Sequence, residues 1–309
     1  MKRPSPSLTE LVAVIVNWET PDYTIRAAEA LIADGVPEER VVIVDNGSAD
    51  GSYERIRGSL PDCVLVRFEQ NIGYARAANA GAQALQGSTY LMLNNDAFLH
   101  SPGSVRRLLA ALENPAIGIV VPRLLNVDLT LQRNVVPRNT PGVELVRATG
   151  LSRVIPNRWQ PRFGTHWDHA SPRGIDAATG AVFLFRAEVW HGLGGLPVRN
   201  YMYADDLEVC LRARREGWRI WFEPKAEFIH VGNGSCGRHW GSEKRAEMVS
   251  RSESAMIREH LPRFSAQLTL ALMTGGVAAR WLFFALRRDR AAAASLRGTL
   301  RGLIGGATG

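Results

Sequence analysis

Residues 11–48 read LVAVIVNWETPDYTIRAAEALIADGVPEERVVIVDNGS, and this stretch decides the fold. Leu11–Val16 is a short β-branched run closed by polar Asn17, which predicts a buried strand. Tyr23–Asp34 carries Ile25, Ala28, Leu31 and Ile32 at helical spacing. Val41–Val44 is a second apolar run and ends in the turn-forming sequence Asp45-Asn46-Gly47-Ser48. The order strand, helix, strand then repeats. Val64–Phe68 is strand-like, Tyr74–Leu85 helix-like, and Tyr90–Leu93 runs into Asn94-Asn95-Asp96. Such alternation predicts an α/β protein with a mostly parallel sheet flanked by helices. In sheets of this kind ligands bind outside the carboxyl ends of the strands. Asn17, Asp45 with Asn46, and Asn95 with Asp96 all fall at those ends, so a nucleotide-type site is expected there.

Beyond residue 100 the pattern loosens. Asn126–Arg173 has few periodic apolar residues and many Pro, Arg and Asn, which predicts a long, partly mobile loop. Order is expected again at Ala177–Phe185, in a helix beginning near Asp206, and in strands at Trp218–Phe222 and Glu227–Val231. There are no internal repeats, and the only low-complexity block is the Ala/Gly-rich last twenty residues. The 309 residues suffice for one or two domains, and 46% hydrophobic with 22% charged residues argues against extensive disorder. Cys63, Cys210 and Cys236 are sparse, odd in number and unpaired by spacing, which suggests a reducing compartment. Lys2 and Arg3 precede an apolar run of only six residues, too short for a signal-peptide core. A cytoplasmic catalytic part is expected.

Several segments could carry chemistry. The Asp45 carboxylate can accept from a base imide or a ribose hydroxyl, although D-N-G-S is equally good plain turn chemistry. In Asn71–Gly81, Gly73 permits close backbone approach at a helix mouth. Arg76 or the free helix N–H groups could meet phosphate there, or the small residues could serve packing alone. Asp96 in the turn Asn94-Asn95-Asp96 can bind Mg²⁺ or Mn²⁺, which favour oxygen ligands and bridge diphosphate oxygens. Asp205-Asp206 precedes Leu207, Cys210 and Leu211 and so is expected at a helix N-terminus. The pair could complement the helix dipole, or Asp206 could act as a general base. His230 closes an apolar strand before Gly232-Asn233-Gly234-Ser235, a ligand-facing loop if the glycines are functional. His166 and His169 flank Trp167-Asp168 without a regular scaffold and are set aside.

In order and spacing these segments resemble glycosyltransferase family 2, the inverting GT-A (Rossmann-like) nucleotide-sugar transferases, and in detail a rhamnosyltransferase-like bacterial branch. The resemblance runs from about Val12 to Gly237. Val14–Trp18 is similar to the family's opening strand, Val44–Ser48 to its nucleotide-binding turn, and Asn71–Gly81 to its N-x-G-x-x-x-x-x-N-x-G segment. Asn17, Asp45, Asn71, Gly73, Arg76, Asn79, Asn94 and Asn95 are thereby implied on the donor side. The DxD-like metal turn maps onto Asn94-Asn95-Asp96. Its first carboxylate is an asparagine here, which leaves Asp96 as the implied metal ligand with His230. Thr179-Gly180-Ala181 resembles the acceptor-side segment. Asp205-Asp206 matches the acidic pair whose second member is the base.

The implied reaction is a single in-line displacement that moves a sugar, rhamnose by the branch resemblance, from a dTDP- or UDP-linked donor to a hydroxyl. The implied acceptor is a glycan or polyprenyl-linked molecule of cell-wall or surface-polysaccharide synthesis. A nucleotidyltransferase is the rival enzyme, but the position after the first strand holds Asn17-Trp18-Glu19-Thr20-Pro21 and no Gly-rich basic loop. A degenerate sugar-nucleotide binder is the other alternative, against which Asp45, Asp96, Asp206 and His230 speak.

The organisation expected is a catalytic domain over 1–237 and a helical C-terminal extension over 238–309. Within the first, a nucleotide-binding part covers about 8–100 and an acceptor-binding part about 101–237. The formal net charge is +7, and six arginines between Arg280 and Arg301 face only Asp289. Leu268–Leu286 contains Arg280 as its only charge. As a helix it measures about 29 Å, nearly a bilayer core. A charge near its centre costs roughly 2.5–3.5 kcal/mol on insertion scales. Trp281, Phe283 and Phe284 beside Arg287, Arg288 and Arg290 fit an interfacial helix at the inner face of the plasma membrane. A packed soluble helix and a true span remain the alternatives. The basic residues lack the aromatic interleaving of a nucleic-acid surface, and no nucleic-acid partner is expected.

Overall fold

A computed structural model describes residues 6–156, 159–160, 167–198, 204–232 and 241–305. Strands β1 (Leu11–Asn17), β2 (Val41–Asn46), β3 (Val64–Phe68) and β4 (Thr89–Asn94) lie in the order β3-β2-β1-β4, all parallel. Helices α1 (Pro21–Ala33), α2 (Ser52–Ser59) and α3 (Tyr74–Gln83) connect them. Side chains alternate across the sheet with period two. Ala13, Ile15, Ile43, Leu91 and Leu93 pack with Ala28 and Leu31 of α1 and Ile56 of α2. Val12, Val14, Val42, Val44 and Met92 pack with Ala75, Ala77 and Ala78 of α3 on the other face. With both faces covered, the strands read as continuous apolar runs. Helix α3 lies hard on the sheet at Gly81, where a Cβ would stand 2.6 Å from Val14 Cγ1 and 2.7 Å from Val44 Cγ2. That contact is the structural use of the segment's second glycine.

The other half of the 10-stranded sheet is mixed. The three-residue strand β5 (Ala97–Leu99) leaves the turn after β4, and helix α4 (Ser104–Ala111) leads into β6 (Ile117–Leu125). Strand β11 (Val182–Arg186) runs antiparallel to both β4 and β6, while β12 (Arg219–His230) is parallel to β6 and antiparallel to β5. Helices α6 (Ala187–Leu193) and α7 (Asp205–Arg215) lie between β11 and β12 in sequence.

Two expectations are corrected. The segments at 218–222 and 227–231 form one strand, β12, whose register shifts between Glu223 and Glu227. Pro224 falls in that irregularity, where its missing N–H costs no ladder bond. The expected long loop at 126–173 is also substantially ordered. It holds β7 (Leu131–Gln132), β8 (Val135–Val136), α5 (Pro141–Ala148) and the start of β9 (Arg173–Ile175). Strand β10 (Ala177–Ala178) pairs with β8. Thr140 caps α5 by accepting from the Val143 N–H at 3.4 Å.

The extension contains α8 (Ser242–His260), α9 (Arg263–Leu286) and α10 (Arg290–Gly305). Helix α9 lies against α5, a partner more than 100 residues earlier. Met256, Ile257, Ala266, Leu270, Val277 and Leu303 form a third core, which reaches Ala204, Leu207 and Leu211 around α7. The basic tail is partly neutralised within the fold, since Glu243 pairs with Arg297 at 3.1 Å and Arg301 at 3.0 Å. Cys63 and Cys210 are buried free thiols, and Cys236 lies outside the described residues.

Candidate active site

Strand register gathers the polar residues. Asn17 stands opposite Asp45 across β1 and β2, and Val16 opposite Asn94 across β1 and β4. Above these carboxyl ends opens a cleft of about 770 Å³, and Asn71, Asn94, Asn95, Asp96, Asp205, Asp206 and His230 all line it.

The floor is a connected polar frame. The buried Asn17 amide donates to Asp45 Oδ1 at 3.0 Å and Ser48 Oγ at 3.1 Å, and accepts from Thr24 Oγ1 at 2.8 Å. Asn95 donates to Thr20 Oγ1 at 2.6 Å and Thr24 Oγ1 at 3.2 Å. These two asparagines therefore brace the Asp45 turn and the Asp96 turn against each other. Asp45 is 1% exposed. Among the described residues its Oδ2 has no hydrogen-bond partner, and Arg67 Nε stands 3.7 Å away. A buried, unmatched carboxylate oxygen is costly and suits an incoming N–H or O–H donor. Asn71 Oδ1 accepts from Asn46 Nδ2 at 3.1 Å and from the Gly73 N–H at 2.9 Å, with Gly73 at φ +88°.

Two residues expected on the donor side are placed elsewhere. Arg76 is exposed on α3 and, like the buried Asn17, Asp45 and Gly73 beneath the strand ends, is not among the residues lining the cleft. Asn79 clamps the Leu196 backbone, donating to its carbonyl at 2.9 Å and accepting from its N–H at 2.8 Å. Each departure has a plain cause: the helix turns Arg76 outward, and the loop after α6 claims Asn79.

Asp96 and His230 meet because β5 pairs with β12. Ala97 is opposite His230, and the Val231 N–H donates to the Asp96 carbonyl at 3.0 Å. His230 Nε2 then faces Asp96 Oδ1 at 3.3 Å. Among the described residues no three His, Cys, Asp or Glu cluster as a ready metal cage. A carboxylate oxygen facing an imidazole nitrogen still fits half of a divalent site, the remaining ligands of which a donor's phosphates and water would supply. The expected loop at Asn233–Ser235 lies outside the described residues, as does His166. His169 is fully buried and stacked on Trp167 at 4.5 Å, a core residue.

Asp206 opens helix α7 as expected. Its Oδ1 accepts from the Leu207 N–H at 2.8 Å and its Oδ2 from the Gly180 N–H at 2.9 Å. The residue before the acidic pair, Ala204, is held at φ +68°, strain of the kind concentrated at functional turns. Burial pushes both carboxyls up, Asp205 to about 6 and Asp206 to about 7, and the Asp205 charge adds to the rise at Asp206. Tyr74 completes this corner. Burial first, then the charges of Asp205, Asp206 and Asp96, push its phenol upward, so it stays protonated. Three carboxylates thus bear on one enclosed space, a field that favours a cation and a proton acceptor poised near neutrality.

The sequence model of the family described as Glycosyl transferase family 2 matches residues 12–191, more than half of the chain. The chain belongs to glycosyltransferase family 2. The nucleotidyltransferase alternative falls with that match. Among family 2 relatives, the N-acetylglucosaminyl-diphospho-decaprenol L-rhamnosyltransferase of Mycobacterium tuberculosis is 27% identical over 214 residues, covering 64% of this chain and 68% of that protein. The low-salt glycan biosynthesis hexosyltransferase of Haloferax volcanii is 29% identical over 220 residues, covering 69% and 64%. Among solved structures, a mannosyltransferase of Pyrobaculum calidifontis in complex with GDP-Man and Mn²⁺ has a TM-score of 0.59 at 18% identity, over 99% of this chain and 90% of that one. TarS of S. aureus in complex with UDP-GlcNAc gives 0.55 at 12% identity, over 95% and 90%. These structures share the GT-A fold. The family 2 match ends inside α6, so the reading of Asp206 and His230 rests on their geometry.

Sequence reasoning missed part of the cleft wall. Arg147 of α5 and Arg245, Val249 and Glu253 of α8 line it, so the C-terminal helices help to build the cleft. Gln132 was also missed. The pairing of the two-residue strand β7 with β6 is what brings Gln132 to the cleft.

Proposed function

We propose that this family 2 enzyme transfers a sugar, rhamnose in the first instance, from a dTDP- or UDP-linked donor to a hydroxyl of a polyprenyl-diphosphate-linked glycan acceptor, for cell-wall or surface-polysaccharide synthesis. The observation that carries it is one cleft holding Asp206 on one side and the Asp96–His230 pair on the other. Asp206, in its ionised form, takes the proton from the acceptor hydroxyl. The acceptor oxygen bonds to the anomeric carbon as that carbon's bond to the diphosphate oxygen breaks, and the bonding pair leaves with the nucleoside diphosphate. One displacement inverts the configuration. Mg²⁺ or Mn²⁺ held by Asp96 and His230 would offset charge on the leaving diphosphate. Asp45 Oδ2 awaits the base imide or a ribose hydroxyl, which favours a uracil or thymine donor. The Mycobacterium relative, named for a diphospho-decaprenol acceptor, supports the acceptor class.

A panel of sugar nucleotides scored by thermal shift with Mn²⁺ tests this reading. Stabilisation is expected from dTDP- and UDP-sugars, about 2.7 kcal/mol at a hundredfold excess over Kd. Stabilisation by purine donors alone would overturn the Asp45 assignment.

We also place the enzyme at the inner membrane surface through α9. The helix is long and apolar enough to cross a membrane by length and composition, yet only 17% of its apolar window is buried. Phe264, Leu282, Phe283 and Leu286 are exposed, and Arg287, Arg288 and Arg290 follow at its end. An exposed apolar face beside arginines suits the headgroup boundary of an anionic bilayer. At about 1 kcal/mol per arginine, replacing Arg287, Arg288 and Arg290 by Gln should cut partition onto phosphatidylglycerol vesicles at least tenfold. Flotation measures it, and undiminished binding of the variant would count against the surface placement.

A further inference from the structure

The hairpin joining β6 to β7 carries a hydrogen-bond chain with a fixed direction, and it ends on His230. Asp128 Oδ1 accepts from Thr130 Oγ1 at 2.6 Å and from the Thr130 N–H at 3.0 Å. An ionised carboxylate can only accept, so the Thr130 hydroxyl proton is committed to Asp128. Thr130 Oγ1 must then accept from Asn126 Nδ2, 2.9 Å away. That fixes the Asn126 amide, whose Oδ1 accepts from Gln132 Nε2 at 3.0 Å. The second Nε2 hydrogen of Gln132 goes to the His230 carbonyl at 3.1 Å. Both hydrogens of the amide are used, so Gln132 Oε1 is left as an acceptor 2.7 Å from His230 Nδ1. Flipping the Gln132 amide would set its oxygen against two other acceptors, Asn126 Oδ1 and the His230 carbonyl.

We infer that Gln132 is a positioning residue that holds His230 in the Nδ1–H tautomer and so aims the Nε2 lone pair at the cation shared with Asp96. This inference rests on the metal reading of Asp96 and His230 given above. A neutral imidazole has one N–H and one lone pair. With Nδ1–H bound to Gln132, the lone pair falls on Nε2, the nitrogen that faces Asp96 Oδ1 at 3.3 Å. Partners of this sort on the far nitrogen of a metal-binding histidine orient the ring and fix its tautomer, and losing one typically lowers metal affinity 10–100-fold. The chain also explains why a two-residue strand matters. Pairing of Leu124 with Gln132 and of Leu125 with Leu131 places the amide over the end of β12.

The test combines nitrogen NMR of the histidines with Mn²⁺ binding followed by electron paramagnetic resonance, using the full chain and the metal alone. In the wild type at pH 8, His230 is expected to show a protonated Nδ1 and an unprotonated Nε2. The opposite tautomer overturns the inference without any variant being made. Gln132→Leu should lower Mn²⁺ affinity 10–100-fold with its circular dichroism unchanged and its His230 tautomers mixed. Thr130→Val, on the exposed hairpin, should loosen the tautomer more mildly and serves if Gln132→Leu misfolds. His230→Ala separates the two levels of the reading. Loss of Mn²⁺ binding in His230→Ala but not in Gln132→Leu overturns the role of Gln132 alone, whereas wild-type affinity in both overturns the metal assignment with it.

Discussion

Asp206→Asn is expected to lower the transfer rate about 10²–10⁴-fold, the range that a positioned general base contributes, while donor affinity stays near wild type. The geometry separates the two quantities. Asp206 sits on the α7 and Gly180 side of the cleft, whereas Asp96 and His230 sit at the β5–β12 pairing. Isothermal titration with the nucleoside diphosphate, alongside steady-state turnover, checks both halves. Turnover near the wild-type level with donor bound would remove Asp206 from the mechanism.

The pH dependence follows from the same residue. A base must be ionised, so activity should rise as pH increases through the raised Asp206 value of about 7. An ordinary carboxylate would already be ionised well below that, near 4. Stability should move the other way. Between about 4 and 7 the folded state holds a proton that the unfolded chain has released, so stability falls as pH rises across that window. Asp206→Asn removes the Asp206 share of this slope and leaves that of Asp205. Its melting temperature should gain on the wild type between pH 5 and pH 8, as thermal denaturation across buffers would record. A pH-independent difference would mean that this carboxyl is not raised in the folded state.

The parallel half of the sheet was legible because both of its faces are covered, which turns β1, β2 and β4 into unbroken apolar runs. Asp206 was legible for a different reason, since Leu207, Cys210 and Leu211 announce the helix it opens. Strand β5 was not, because Ala97–Leu99 is three residues long and gains meaning only from β12, some 130 residues later. With it went the reason why Asp96 and His230 share a site. Gln132 escaped for the same cause. Polar residues at strand ends posed the opposite difficulty. Asn17, Asn95 and Asn79 look alike in sequence to ligand contacts, yet their amides are spent on Asp45, on Thr20 and Thr24, and on Leu196. Only a list of partners separates a residue that holds the frame from one that faces the donor. The walls from α5 and α8 were hidden because these helices reach one cleft from segments more than 90 residues apart.

Asp96→Ala is the second change with a large expected effect, and Asn94→Asp is its counterpart of opposite sign. Asp96 is the one carboxylate in its turn, 6% exposed and 3.3 Å from His230 Nε2. With it gone, the protein retains only an imidazole for a hard cation that prefers oxygen. A metal that offsets leaving-group charge contributes several kcal/mol to the transition state, so kcat/KM should fall about 10³-fold or more. Added Mn²⁺ should recover little of it. Asn94 lines the same cleft, and its N–H donates to the Ala181 carbonyl at 2.7 Å, so its backbone is fixed independently of its side chain. Asn94→Asp should therefore restore a second carboxylate without moving the turn. Mn²⁺ affinity is expected to rise about tenfold, a gain of roughly 1.4 kcal/mol. Electron paramagnetic resonance titration of both variants reads the pair. If Asn94→Asp left the affinity unchanged while Asp96→Ala abolished it, Asn94 would lie outside the coordination sphere. If neither variant changed it, the cation would have to bind elsewhere, and the chemistry assigned to this turn would fall.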